Sequence, residues 1–139
     1  MSAAERHLMH SLGLVLEQAR ESVLEDSSLG LRPSQLRVLD MVPERGVTVS
    51  DLADLVGMSK QGIGQFVARL VEGGYLTVEV HREDRRVRVV RRTDRGEEAC
   101  HLLARILDDL ESRWASRIGA ARYQEFRAML DELADLGTE

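Results

Sequence analysis

The 139-residue chain is 43% hydrophobic and 31% charged, with two prolines, one cysteine and a net charge of −5. That composition fits one globular domain with a real core, and it excludes an internal disulfide, a cysteine-rich zinc site and long disordered linkers. No apolar run reaches the ~20 residues of a membrane helix, and the opening MSAAERH has no signal-peptide core, so a cytoplasmic protein with no membrane partner is expected.

In residues 5–25, Leu8, Leu12, Val15, Leu16, Ala19 and Val23 recur at spacings of three and four, which predicts a long amphipathic helix. Ser27 to Gly30 breaks it. Pro33 opens a second helix (PSQLRVLDMV), since proline is at home in a first helical turn, and Pro43 and Gly46 close it. Thr48 is a candidate N-cap for a short helix, Ser50 to Val56, with Asp51 at the positive end of its dipole. Gly57-Met58-Ser59 reads as a tight turn, with Ser59 capping a helix from Lys60 to Glu72 that Gly73-Gly74 stops.

The inward stripe of that helix is predicted as Ile63, Phe66, Val67, Leu70 and Val71. Gln61, Gln65 and Arg69, four apart, stack on the outward face. Gly62 and Gly64 weaken a helix interior by up to ~1 kcal/mol each relative to alanine. Two readings stand open for them: close approach to a DNA backbone or neighbouring helix, or simple tolerance where packing dominates.

Leu76, Val78 and Val80 alternate with Thr77, Glu79 and His81, the pattern of a half-buried strand. Val87 and Val89 are expected to face inward on the returning strand. Between the strands lies a charged tip, His81-Arg82-Glu83-Asp84-Arg85-Arg86. Thr93 begins another helix whose first turn holds Asp94, Glu97 and Glu98. It continues as an apolar seam of Ala99, Leu102, Leu103, Ile106, Leu107, Leu110, Trp114 and Ile118. After a break near Gly119, Phe126, Met129, Leu130, Leu133 and Leu136 form a further stripe.

Helix, turn, helix and basic hairpin in this order predict a mainly α fold with a small β-hairpin wing, a winged helix-turn-helix with long flanking helices. Charge agrees. Residues 59–92 carry eight basic and four acidic side chains, +4, against −9 for the rest of a chain whose total is −5. Screening confines phosphate attraction to roughly 8–10 Å, so the local field matters more than the total. Gln61, Gln65 and Arg69 are candidates for base edges, because glutamine pairs bidentately with adenine and arginine with guanine. Ser59, Lys60 and the helix N-terminus suit a phosphate. Arg82, Arg85 and Arg86 are placed to enter a minor groove or grip its phosphates, and Asp84 is the candidate brace for Arg86. The flanking helices, 5–25 and 93–136, carry more apolar surface than a reader of residues 33–92 can cover, so a homodimer interface is expected within a single domain of residues 1–139.

The chain resembles the MarR family (multiple antibiotic resistance regulator type) over nearly its whole length. The family's wing pattern, D-x-R followed after five residues by L-T-x-x-G, is matched at Asp84, Arg86, Thr93 and Gly96, with Arg92 where leucine is usual. MSKQGIGQFVARLVEGGYL is similar to the family's reading helix and its exit. The resemblance implies a homodimeric, usually repressive transcription factor on a near-palindromic operator in double-stranded DNA, released by a small molecule, often aromatic or phenolic. It also implies an effector pocket between the first helix, the second helix and the start of the long helix, with Met9, Leu12, Gly13, Leu36, Leu39, Asp40 and His101 as candidates.

Other chemistries fit less well. Gly62-Ile63-Gly64 lacks the third glycine, the preceding strand and the βαβ unit of a dinucleotide site, and no nucleophile elbow or metalloprotease motif occurs, so no enzyme activity and no cofactor are expected. His7 and His10 share a helix face, and His101 is the third histidine of interest, but no metal is assigned. Cys100 is expected to be a buried, inert thiol rather than a redox sensor, since the peroxide-sensing branch of the family carries its cysteine in the leading helix. A winged helix used as a protein-interaction module, or the same regulator controlled by metal or thiol oxidation, are the alternatives.

Overall fold

The structure, a computed structural model, describes residues 7–26 and 29–137. Residues 5 and 6 of the expected first helix, with Ser27 and Ser28 of the break after it, lie outside the described residues. The elements run α1 (Leu8–Glu25), α2 (Pro33–Met41), β1 (Val47–Thr48), α3 (Val49–Val56), α4 (Lys60–Glu72), β2 (Leu76–Val80), β3 (Arg88–Arg92), α5 (Asp94–Ile118) and α6 (Ala120–Leu136). By contacts the chain forms two compact units, one of residues 1–22 and 105–139, the other of residues 23–104.

In the second unit each helix starts where local chemistry dictates. Arg32 precedes Pro33, and its N–H donates to Gln35 Oε1 at 2.9 Å. Thr48 Oγ1 accepts from the Asp51 N–H (3.1 Å) and Ser59 Oγ from the Gly62 N–H (3.0 Å), satisfying donors that a helix N-terminus leaves orphaned. Gly57 takes a left-handed φ of 75°, which a residue with a Cβ adopts only at a cost, and so turns the chain between α3 and α4. The core is Leu36, Val38, Leu39, Val42, Leu52, Ile63, Leu70, Leu76 and Val90, all essentially inaccessible to solvent.

The sheet differs from expectation in three ways. It has three strands, ordered β1-β3-β2, because Val47 and Thr48 pair with Val90 and Val89 of the returning strand. The inward residue of β3 is Val90, not Val87 or Val89, since Val78 pairs with Val90 and Leu76 with Arg92. Cross-strand partners share a face, so Val89, opposite Glu79, stands on the other one. Finally, Val80 is 55% exposed; burial fades from Leu76 outward as the hairpin leaves the core. On α4, Val71 is likewise 38% exposed and does not belong to the inward stripe.

The first unit holds most of α1, the later part of α5, and α6. Gly119, at φ 100°, breaks the chain between α5 and α6. Tyr123 is buried, and its hydroxyl donates to Glu111 Oε1 at 2.5 Å, with Arg127 Nε 3.2 Å from the same oxygen. Trp114 Nε1 donates to Gln18 Oε1 at 2.8 Å, tying α5 to α1. Leu8, Met9 and Leu16 of α1 and Met129, Leu133 and Leu136 of α6 are 55–68% exposed, and Phe126 and Ile118 of the same unit are partly exposed.

Candidate nucleic-acid interface

The buried residues of α4 are Ile63, Val67 and Leu70, with Phe66 half-buried. Each residue of an α-helix turns ~100° from the last, so Gln61, Gln65 and Arg69 fall on the solvent side, and all three are exposed. Neither glutamine nor Arg69 has a side-chain partner among the described residues. Lys60 is exposed and unpaired one residue past the Ser59 cap, whose oxygen already serves Gly62 and whose hydroxyl proton is left to donate outward. Ala68, three residues from Gln65, is exposed and joins this face, and its lack of a polar group is why residue type alone does not mark it.

The wing tip is shaped by its own residues. His81 N–H donates to the Val87 carbonyl (2.9 Å) and Val87 N–H to the Asp84 carbonyl (3.0 Å). Asp84 Oδ1 accepts from both the backbone N–H (3.0 Å) and Nε (3.3 Å) of Arg86. One carboxylate oxygen therefore fixes the turn and steadies the arginine, whose side chain is still 92% exposed. Arg82 and Arg85 are exposed and unpaired among the described residues. So is Arg88 on β3, which the expected set omitted; its alternation with Val87 and Val89 is the sequence signal that places it on the strand. Arg91 differs from these cations, because its NH1 donates to the Arg45 carbonyl (2.7 Å) and its Nε lies 3.6 Å from Glu79.

The wing's root explains the departure at Arg92. Its guanidinium donates to the carbonyls of Leu39 (3.2 Å) and Asp40 (2.7 Å), the last turn of α2, and lies 3.4 Å from Glu97. A cation over a helix C-terminus satisfies orphan carbonyls and opposes the dipole. Arg92 thus holds the junction of wing and helix through hydrogen bonds to α2. Beside it, Thr93 Oγ1 donates to the Gly74 carbonyl (2.6 Å) and accepts from the Gly96 N–H (3.1 Å), joining the exit of α4 to the start of α5.

The effector candidates fall in both units. Met9, Leu12 and Gly13 lie on exposed α1 in the first; in the second, Leu36 and Leu39 are core residues while Asp40 and His101 are exposed. Cys100 is buried, and desolvation pushes its thiol pKa up to about 11 against the opposing pull of Arg92. His7 Nδ1 accepts from the Met9 N–H (3.3 Å), and no group of three metal-binding side chains occurs among the described residues. No described helix is long and apolar enough to cross a membrane.

A family model described as MarR family matches residues 29–87. No curated protein matches the chain by sequence. Among solved structures, a MarR crystal structure is 25% identical, covers 99% of this chain and 95% of its own, and superposes with a TM-score of 0.86. A MepR–DNA complex from S. aureus is 14% identical over 94% of this chain and 98% of its own, with a TM-score of 0.77. A mutant MarR from E. coli complexed with operator DNA is 19% identical over 91% and 92%, with a TM-score of 0.74. With the wing motif at Asp84, Arg86, Thr93 and Gly96, the chain folds as a winged helix-turn-helix similar to the solved MarR structures, and its residues 29–87 match the MarR family model.

Proposed function

We propose that two copies of this chain bind a near-palindromic operator in duplex DNA, act as a repressor, and are released by a small molecule. The observation that carries the DNA reading is the set of exposed polar and basic side chains, Lys60, Gln61, Gln65 and Arg69 on α4 with Arg82, Arg85 and Arg88 on the wing, all without a side-chain partner among the described residues, together with Arg86, steadied by Asp84 yet still 92% exposed. Glutamines on a helix face suit base edges in a major groove, and arginines on a narrow hairpin suit the adjacent minor groove and its phosphates. Similar structures include one protein solved with DNA and one solved with its operator.

Dimerisation is supported by the large apolar side chains of α1 and α6 left in solvent, which a second copy could cover. Leu133→Glu or Leu136→Glu, placing a charge in that patch, is expected to shift the sedimentation of a dimer towards a monomer. Release by an effector rests on the resemblance and on Met9, Leu12, Gly13, Leu36, Leu39, Asp40 and His101 as the residues to vary.

The test is selection of bound sequences from a random duplex pool. Enrichment of two inverted half-sites about one helical turn apart is expected for a symmetric reader. Recovery of an unenriched pool would contradict the reading. Screening small aromatic and phenolic compounds for loss of binding to the recovered duplex then tests release.

A further inference from the structure

Gly64 lies inside α4, on the flank that it shares with Lys60 one turn earlier, between the exposed Gln61 and Ala68 and the buried Val67. A glycine inside a helix weakens it relative to alanine, so the position calls for a cause. For Gly62 the cause is internal. A Cβ there would come within 3.1 Å of Ser59 Oγ and 3.2 Å of Met58 Cε, crowding the cap. Gly96 is likewise required by the backbone of Tyr75. A Cβ on Gly64 would meet nothing within 4 Å, and its φ is not in the left-handed region. Neither strain nor space within the subunit accounts for it. The same combination recurs inside a helix only at Gly13, on the exposed α1 face proposed above to meet a second copy.

We infer that Gly64 is the close-approach point of the reading helix, where the bare backbone of α4 comes against the sugar–phosphate wall of the major groove and so sets how deeply Gln61 and Gln65 reach. The inference rests on the DNA-binding reading of this face. Charge favours that occupant, because the flank carries the unpaired Lys60, whose ammonium suits the phosphate at the wall. A methyl group at residue 64 would hold the helix off by on the order of 1 Å. Hydrogen bonds to base edges fail over such a distance, since N–H···O contacts span only about 2.7–3.2 Å. Lys60 and the wing arginines have long flexible side chains and can follow their phosphates. Base reading is therefore lost while sequence-independent attraction is kept.

The test is Gly64→Ala, examined by thermal unfolding and by fluorescence anisotropy on two duplexes, one selected by the wild type from a random pool and one unselected. The Tm is expected to rise by about 2–5 °C, because alanine favours the helix and has room. Affinity for the selected duplex is expected to fall roughly 5- to 100-fold, the loss of about one bidentate base contact, with affinity for the unselected duplex and its salt slope unchanged. Gly64→Ser is expected to weaken selected binding in the same way. Wild-type affinity of Gly64→Ala for the selected duplex overturns the inference, as does a fall in Tm, which the open space forbids. If the wild type binds neither duplex, the DNA reading falls and this inference with it. If the wild type binds and only the variant's loss is missing, the DNA reading stands and this inference alone falls.

Discussion

Gly96 lies so close to the carbonyl of Tyr75 that a Cβ on residue 96 would overlap the Tyr75 oxygen. The same carbonyl accepts from the Thr93 N–H at 3.1 Å, so the exit of α4 and the entrance of α5 are held backbone to backbone. Gly96→Ala forces one of these two segments to move. Overpacking of this kind costs roughly 1–3 kcal/mol. The expected outcome is a Tm several degrees lower, and an unchanged unfolding midpoint would show that the contact has slack.

Arg92 makes a second prediction at the same junction. Arg92→Leu restores the residue usual in the family's pattern, yet here it takes the guanidinium donor from the Asp40 carbonyl, leaves the Leu39 carbonyl with the Val42 N–H alone, and deprives Glu97 of its cation. The expected loss is about 1–3 kcal/mol by urea unfolding, the usual range for a part-buried polar group left unsatisfied. Equal or greater stability of the variant would mean that packing, not hydrogen bonding, holds this corner.

Tyr123 gives the first unit a pH dependence. Burial raises its pKa to about 12, helped by its hydrogen bond to the Glu111 carboxylate and by that group's charge. The neutral phenol is the form the fold prefers. Its contribution is complete below the unfolded-state value near 10 and is lost as pH rises from about 10 towards 12, where the unfolded chain has released a proton that the folded chain still holds. Wild-type Tm is expected to fall across that window by more than that of Tyr123→Phe. Parallel curves for the two proteins would remove the claim.

Cys100 is buried and its pKa is raised to about 11, so the thiol is protonated at neutral pH and lacks the exposure of a reactive cysteine. Alkylation is expected to be slow in the native protein and fast once denatured. Fast native alkylation would favour control by thiol oxidation instead.

The caps at Thr48 and Ser59, the turn at Gly57 and the extent of α4 were legible in the sequence because each signal is local: a side chain serving a backbone group three residues away at the caps, and a glycine free to take a left-handed φ at the turn. The inward face of β3 was not. Valine occurs at 87, 89 and 90, in both phases of the strand, and only pairing with Val78 and Val47 selects Val90. The two residues of β1 are too few to show a period. Arg92 acts on carbonyls more than fifty residues earlier in the chain. Tyr123, three residues before Phe126 in the apolar stripe of α6, is buried against Glu111, a relation that exists only once Gly119 has folded α6 back. In the candidate interface, residue types at helical spacing revealed Gln61, Gln65 and Arg69. Arg88 and Ala68 needed the strand register and the helix face.

The most direct test of the DNA reading is the salt dependence of duplex binding by the wild type, Arg86→Ala and Arg69→Ala, followed by anisotropy. If six to ten phosphates are neutralised, wild-type affinity should fall ~10³- to 10⁵-fold between about 50 and 200 mM salt. Arg86→Ala should bind all duplexes more weakly with a shallower slope, and Arg69→Ala should lose preference for the selected sequence as well. Binding by both variants with wild-type affinity, slope and preference would contradict the account of α4 and its wing.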